Sequence, residues 1–477
     1  MKKTGWVAVL GLAAALTALG PTLAPAGGVA RADTAPNEVV EQRLDKAEKK
    51  LEAAEQRIED LTRLVGQQPA QQAMTQDQVV QIVKDQMASA AKPNDMRVYW
   101  DKGLNFATAD KAFMLKIGGR IQTDYDQMGM DSSVLNAVGP FTDGFETRRL
   151  YLSFNGTIYS NTYYKVDIDF GGAKVAINNA YLQINNLLPF AQVRVGQFKE
   201  PINMENLADD TTTTFMERAL PNALVPSYDK GAQIMNNWDG KRGTWAAGVF
   251  WTTDSTTAKA PEDATTAVNS GEAFTARATF LPWYQDDGAK LLHVGAAVSY
   301  RQPNSVQYKA TPEDHLAPTF IDTKTILNTT SATLGGLEAA LVYGPASVQA
   351  EYIQSSVARS AGPDLGFSGY YVQGSYFLTG EHRVYNTGTG VFDTVSPKNN
   401  FDGKGGLGAW ELAARYSHLD LSDKDVQGGA LSDITAGLNW YLNPNMKIML
   451  NYVSTVLDKG TTDGDAHSLM ARFQVVF

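Results

Sequence analysis

From about Arg97 to the last residue, apolar side chains recur at every second position rather than every third or fourth. That is the period of a strand, whose side chains alternate between two faces. The closing segment shows it most clearly. Leu469, Ala471, Phe473, Val475 and Phe477 fall on one face, and Met470, Arg472, Gln474 and Val476 on the other. An apolar outer face, a mixed inner face and a terminal Phe suit the last strand of an outer-membrane barrel. A strand of a soluble sandwich can alternate in the same way, so the recurrence along the chain carries the argument.

Sixteen such segments begin near residues 112, 145, 163, 175, 191, 231, 244, 272, 291, 334, 346, 366, 408, 430, 445 and 466. The fold expected is all-β: a sixteen-stranded antiparallel transmembrane β-barrel over residues 96–477, preceded by an α-helical coiled coil. No internal apolar run reaches the ~18 residues that a membrane helix needs. A barrel escapes that requirement, because only alternate residues face lipid. The 42 Gly and 20 Tyr suit turns and aromatic girdles. An even strand count places both barrel ends on one side, the periplasm in a bacterial barrel. The short turns at Asn161, Gly344-Pro345 and Asn443-Pro444 then fall on the periplasmic side, and the long connections near 127–144, 200–230, 254–271 and 303–333 outside. One connection breaks the pattern: Thr379 to Gly406 is long yet periplasmic. It holds an extra hairpin from Val384 to Val395, folds into the lumen, or marks a miscount by one pair.

The N-terminal part has a different character. Lys2 and Lys3, the apolar stretch Trp6 to Leu19, and Ala30-Arg31-Ala32 compose a secretory signal over residues 1–32. Residues 33–66 contain unbroken heptads. One seam is Leu44, Leu51, Ile58 and Val65, and the other is Val40, Ala47, Ala54 and Leu61. Arg43 and Lys50 flank one seam and Glu48 and Glu55 the other, as a self-associating parallel coil requires. This coiled coil is expected in the periplasm. It either holds an oligomer together or reaches toward the cell wall, and the sequence leaves that choice open. Residues 67–95 form a Gln-rich linker and a short helix ended by Pro93.

The chain has no cysteine, and its formal net charge is −10. This excludes thiol chemistry and argues against nucleic acid as a partner. His293, His315, His382, His418 and His467 are scattered without metal-ligand spacing, and no G-x-S-x-G elbow occurs. No catalytic residue, metal or cofactor is expected. The partners expected are outer-membrane lipid and small solutes crossing the lumen.

Alternation also identifies the inner wall. Ten basic residues point inward: Lys116, Arg120, Arg149, Lys165, Arg194, Arg277, Arg301, Arg415, Lys447 and Arg472. Five acids do so: Asp124, Asp167, Asp169, Glu351 and Glu411. The chain is acidic, yet this lumen is basic, and basic rings in a pore favour anions. Two alternatives stand beside that reading. The interior charges could pair with one another and hold the wall, or the 200–230 connection, rich in Glu205, Asp209, Asp210, Glu217 and Arg218, could fold inward and add acids. A plugged barrel serving as envelope tether or adhesin, and a general or cation-preferring porin, are the alternative functions.

Five stretches resemble a known family: FETRRLYLSFNG (Phe145 to Gly156), VGQFKEPINME (Val195 to Glu205), FMERALPNALVP (Phe215 to Pro226), YFLTGEHRVY (Tyr376 to Tyr385) and WELAARYSHLDL (Trp410 to Leu421). Together, and in this order, they resemble the phosphate-selective porin O and P family, over about Arg97 to Phe477. The resemblance implies a homotrimeric sixteen-stranded porin in the outer membrane of a Gram-negative bacterium, passing small anions such as phosphate. It implies anion-facing roles for Arg120, Arg148, Arg149, Arg194, Lys199 and, in the inward loop, Arg218. Arg383 and Arg415 lie in other matched motifs. Two features depart from the pattern. Lys230 precedes Gly231 where the family often has Arg, and Asp167 and Asp169 add negative charge to the wall. Both bear against strict phosphate selectivity.

Overall fold

The protein is described here by a computed structural model covering residues 95–141, 143–172, 175–251, 271–460 and 462–477. The signal, the coiled coil and the helix before Pro93 lie outside the described residues.

Sixteen strands form the barrel: β1 Met114–Met130, β2 Gly144–Ile158, β3 Thr162–Asp169, β4 Ala176–Leu188, β5 Ala191–Lys199, β6 Tyr228–Trp238, β7 Gly243–Trp251 and β8 Glu272–Gln285, then β9 Lys290–Arg301, β10 Thr329–Tyr343, β11 Ala346–Arg359, β12 Leu365–Phe377, β13 Ala409–Asp423, β14 Val426–Asn443, β15 Met446–Asp458 and β16 Asp463–Val476. Each start lies within five residues of the position read from alternation. Neighbours in sequence pair antiparallel throughout, from β1 with β2 to β15 with β16.

The sheet closes on itself where β16 meets β1, from Ala466 opposite Met130 to Val476 opposite Arg120. Closure leaves no open edge, the condition for a sheet in lipid, where unpaired backbone groups are costly. The terminal residue finishes the seam. The Phe477 N–H donates to the Gly119 carbonyl at 3.0 Å, and the Gly119 N–H donates back to Phe477 at 2.7 Å. Before β1, a hairpin of Met96–Trp100 and Leu104–Thr108 continues the sheet by pairing Leu104–Ala107 with Met114–Ile117.

Connections differ between the two ends of the barrel. Those after even-numbered strands span only 159–161, 189–190, 239–242, 286–289, 344–345 and 444–445, whereas the long 131–143, 200–227 and 302–328 follow odd-numbered strands, together with the shorter 170–175, 360–364, 424–425 and 459–462. Short turns mark the periplasmic end of a bacterial barrel and long loops the exterior. The exception is 378–408, on the short-turn side. It contains the hairpin Val384–Asn386 with Val391–Asp393, and it folds into the lumen, so the strand count holds without an extra pair.

Among the described residues, three segments therefore enter the barrel: 200–227, 302–328 and 378–408. The wall is built to seat them. Along the outer half of β10 to β16 the inner face is apolar rather than polar, through Leu334, Ile353, Val357, Leu365, Phe367, Leu419, Leu431 and Leu457. Val306, Tyr308, Phe320, Ile321 and Ile326 of the 302–328 segment pack onto these side chains, with Leu220 and Leu224 of 200–227. Nearer the periplasm, Leu281, Leu291, Ala340 and Val342 receive Tyr385, Val391 and Phe392 of the inward hairpin. Burial of this apolar surface fixes the inward segments.

Candidate pore constriction

The inward segments bring acids to the basic wall. Arg120 pairs with Asp209 at 2.7 Å and with Asp210, and its guanidinium lies 4.5 Å from the Tyr151 ring centroid. Arg149 reaches Asp210 at 2.9 Å, and Arg148 reaches Glu217 at 3.0 Å. Arg472 bridges Asp124 at 2.6 Å and Glu217 at 2.8 Å. Arg301 binds Glu200 and Asp229 at 2.8 and 3.0 Å. Arg415 binds Glu205 at 3.1 Å and Glu313, while Arg277 binds Glu338 at 2.6 Å. Lys165 meets Asp167 at 3.0 Å. Eight of the thirteen basic residues singled out in the sequence are thus paired with carboxylates.

The pairing corrects the expected charge balance. Counting strands alone missed Asp126, Glu338 and Asp433, all buried, and the acids that the inward segments supply. Burial drives the Asp209 carboxyl upward, but Arg120 and Lys165 outweigh it and hold the group well below the usual carboxylate range. Glu217 is held low in the same way, with burial opposed by Arg148 and Arg472. Charge pairs with little competing water interact strongly and lose much when one partner is removed. These residues clamp the segments across the lumen.

Arg148 needs its own explanation. Strict alternation points it outward, opposite Arg149. A bulge resolves this: Gln122 pairs with Arg149 and Thr123 with Thr147, leaving Arg148 as the extra residue. A bulge bends the strand and re-aims a side chain, and both arginines are buried.

The other five make different contacts. Lys116 lies on β1 toward the periplasmic end, on the inward side shared by Arg120 and Gln122. Lys447 donates to the Thr213 carbonyl at 2.9 Å, 5.2 Å from the Tyr441 ring. Lys199 donates to the carbonyls of Asn206 and Ala208 at 2.5 and 3.2 Å. Arg218 donates to the carbonyls of Glu205 and Ala208 at 3.2 and 3.4 Å, so two cations converge on Ala208. Arg194 donates to the Gln183 side-chain oxygen at 2.8 Å and stacks on Tyr181 and Phe198, 4.4 and 5.3 Å from their centroids. Arg383, in a matched motif, binds Gln349 at 2.8 Å and lies 3.6 Å from the Phe392 ring.

Among the described residues, two sizeable cavities flank the inward 200–227 segment. The outer one, about 240 Å³, is lined by Arg218, Lys309, Glu217, Glu313, Asp314 and His315. The inner one, about 250 Å³, is lined by Arg194, Lys199 and Arg277, with Gln183, Gln192, Gln233, Asn236 and Asn237 supplying amides and no acid among its lining residues. The Glu338 carboxylate answers Arg277. Arg194 and Lys199 have no carboxylate partner among the described residues. Cations and amide side chains lining one small cavity, with no acid among them, suit an anion.

Lys230 differs from the others. Its neighbour Asp229 reaches Arg301 inside the lumen, so alternation turns Lys230 outward. The departure from the family pattern at this position bears on the membrane face and not on the lumen. His293 contacts Tyr385 at 2.7 Å and Glu338 at 2.9 Å, and Ser299 is bonded to Thr275 at 2.8 Å, so the two serve separate packing contacts.

The chain is similar to several known proteins. The family profile described as "Phosphate-selective porin O and P" matches residues 115–477. The chain is similar to Porin O of Pseudomonas aeruginosa, 28% identical over 416 residues, covering 79% of this chain and 91% of that protein. It is also similar to an uncharacterized protein of Caulobacter vibrioides, 27% identical over 487 residues, covering 97% and 95%. Among solved structures it is similar to an anion-selective porin from Comamonas acidovorans, with a TM-score of 0.48 and 13% identity, covering 76% of this chain and all of that one. The closed sixteen-strand barrel, its inward segments and the match over nearly all of that barrel lead to one assignment: the chain belongs to the phosphate-selective porin O and P family of outer-membrane porins.

Proposed function

We propose that this porin passes small hydrophilic solutes by passive diffusion and favours anions such as phosphate, with Arg194 and Lys199 as the principal anion-facing residues. The observation that carries this is the inner cavity, where two cations without carboxylate partners among the described residues face a ring of amides and no acid. Arg218 and Lys309 lead toward it from the outer cavity. The paired residues Arg120, Arg148, Arg149, Arg277, Arg301, Arg415 and Arg472 shape the passage by holding the inward segments, while Lys165 pairs with Asp167 of its own strand. Lys116 and Lys447 add positive potential toward the periplasmic exit. The family description, which names phosphate, supports it as the solute.

In the same reading, residues 1–32 are a signal that is removed, and the heptads of residues 33–66 form a periplasmic coiled coil that joins three barrels. The linker and helix of residues 67–95 join the coil to the barrel. The test of the solute is block of chloride current. Phosphate added to one side should reduce chloride conductance at low millimolar concentration or below, and Arg194→Ala with Lys199→Ala should weaken that block at least tenfold. Chloride current indifferent to phosphate in the wild-type channel would overturn the phosphate assignment.

A further inference from the structure

The outer face of the barrel carries a groove that solute passage does not use. It is about 590 Å³ and crosses β4 to β7, within the size range of small-ligand sites. Small residues, Ala180, Gly196, Gly231 and Ala232, form its floor. Ile177, Val195 and Trp251 form its walls, and each of these is exposed. The groove is therefore a depression in the apolar band of the barrel.

One end of it is charged. Lys230 sits opposite Trp251 on one side and Gln197 on the other. The Gln197 side chain is already used, donating to the Ile177 carbonyl at 2.5 Å beside the bulge at Asn178. Among the described residues no carboxylate pairs with Lys230. A lysine facing lipid is costly near the bilayer centre and tolerated near its surface. Here it is the third residue of β6, next to the long 200–227 connection, and Trp251 is the last residue of β7. Both sit at the level where aromatic belts and lipid headgroups lie. A basic residue at a hydrophobic groove at that level matches a lipid that ends in phosphate.

We propose that this groove holds an acyl chain of a phosphorylated outer-leaflet lipid, with Lys230 binding the lipid phosphate. The proposal rests on the assignment of the long connections to the cell exterior, and it is independent of which solute the lumen prefers.

Native mass spectrometry of the full-length protein in detergent tests it, with bis-phosphorylated lipid A and dephosphorylated lipid A as probes. The wild-type protein should retain the phosphorylated form and release the dephosphorylated one. Lys230→Gln should lower the bound fraction at least tenfold. Ala232→Leu, which fills the groove and leaves the charge, should lower it too. Equal retention of both probes, or of either probe by wild type and Lys230→Gln, would overturn the proposal. Loss of the oligomer in Lys230→Gln would also overturn it, because the groove would then be a contact between copies of the chain.

Discussion

Arg472 of the closing strand and Glu217 of the inward 200–227 segment lie 2.8 Å apart inside the barrel, and each has a further partner. Arg472 also holds Asp124 of β1 at 2.6 Å, and Glu217 also holds Arg148 of β2 at 3.0 Å. Three strands at the barrel seam thus grip one point of the segment. Removing one partner of a buried pair strands the other charge, at a cost of about 3–5 kcal/mol. Arg472→Met should leave a folded, heat-modifiable barrel whose single-channel conductance is higher and noisier than wild type. An unchanged, quiet conductance would show that the clamp does not hold the constriction.

A second clamp holds the periplasmic hairpin. Arg277 donates to Glu338 on the wall and, at 2.8 Å, to the Gly390 carbonyl at the hairpin tip, while His293 joins Glu338 to Tyr385. Glu338→Gln removes the charge that orients both bases. The expected result is rapid flicker between conductance levels in planar bilayers. Replacing residues 384–393 by a short Gly-Ser linker should convert the flicker to a steady, larger conductance. Identical traces for wild type and both variants would contradict a plug role for this hairpin.

The barrel was legible because its signal is local. Alternation from Leu115 onward located every spanning strand, and the inner and outer faces of β16 follow from Leu469 and Arg472 alone. The pairing inside the lumen was not legible, because Glu217 and Arg472 are 255 positions apart and nothing local links them. Arg148 was hidden by a bulge, which alternation cannot register. A usable signal did exist for the inward segments. The outer ends of β11, β13 and β14 carry apolar residues on the inner face as well as the outer, and a water-filled wall has no use for Ile353, Leu421 or Leu431. Glu338 and Asp433 could also have been found, since Leu337 and Ile434 point outward beside them.

Seating of the 302–328 segment should depend on pH. Asp314 is fully buried there, and burial pushes its carboxyl up to about 6, with Glu217 adding to the effect. A released segment returns the group toward its ordinary value of 3.8. The seated form therefore prefers the protonated acid. Its seating is strongest below the ordinary carboxylate value and weakens as pH rises through the raised one. The gap is worth about 3 kcal/mol at neutral pH. Conductance is expected to fall on acidification from neutral pH to about 5, and Asp314→Asn should hold it near the low-pH level throughout. A wild-type conductance independent of pH would contradict this role.

The N-terminal heptads give a prediction about assembly. Deleting Asp33 to Gly66 should weaken the oligomer in gentle detergent while the barrel remains heat-modifiable. A full-length protein that runs as a monomer after mild extraction would contradict self-association through these heptads.

In the proposed function, wall charge near the passing ion, and not the net charge of −10, sets selectivity. Screening confines distant charges to a Debye length of about 8 Å at physiological salt, whereas Arg194 and Lys199 line the inner cavity itself. The most direct test is the reversal potential of single channels in a potassium chloride gradient. The wild-type channel should reverse on the chloride side of zero, and Arg194→Ala with Lys199→Ala should move the reversal toward potassium. A wild-type channel that already prefers potassium would contradict the account and transfer control to Asp126, Glu313 and Asp314.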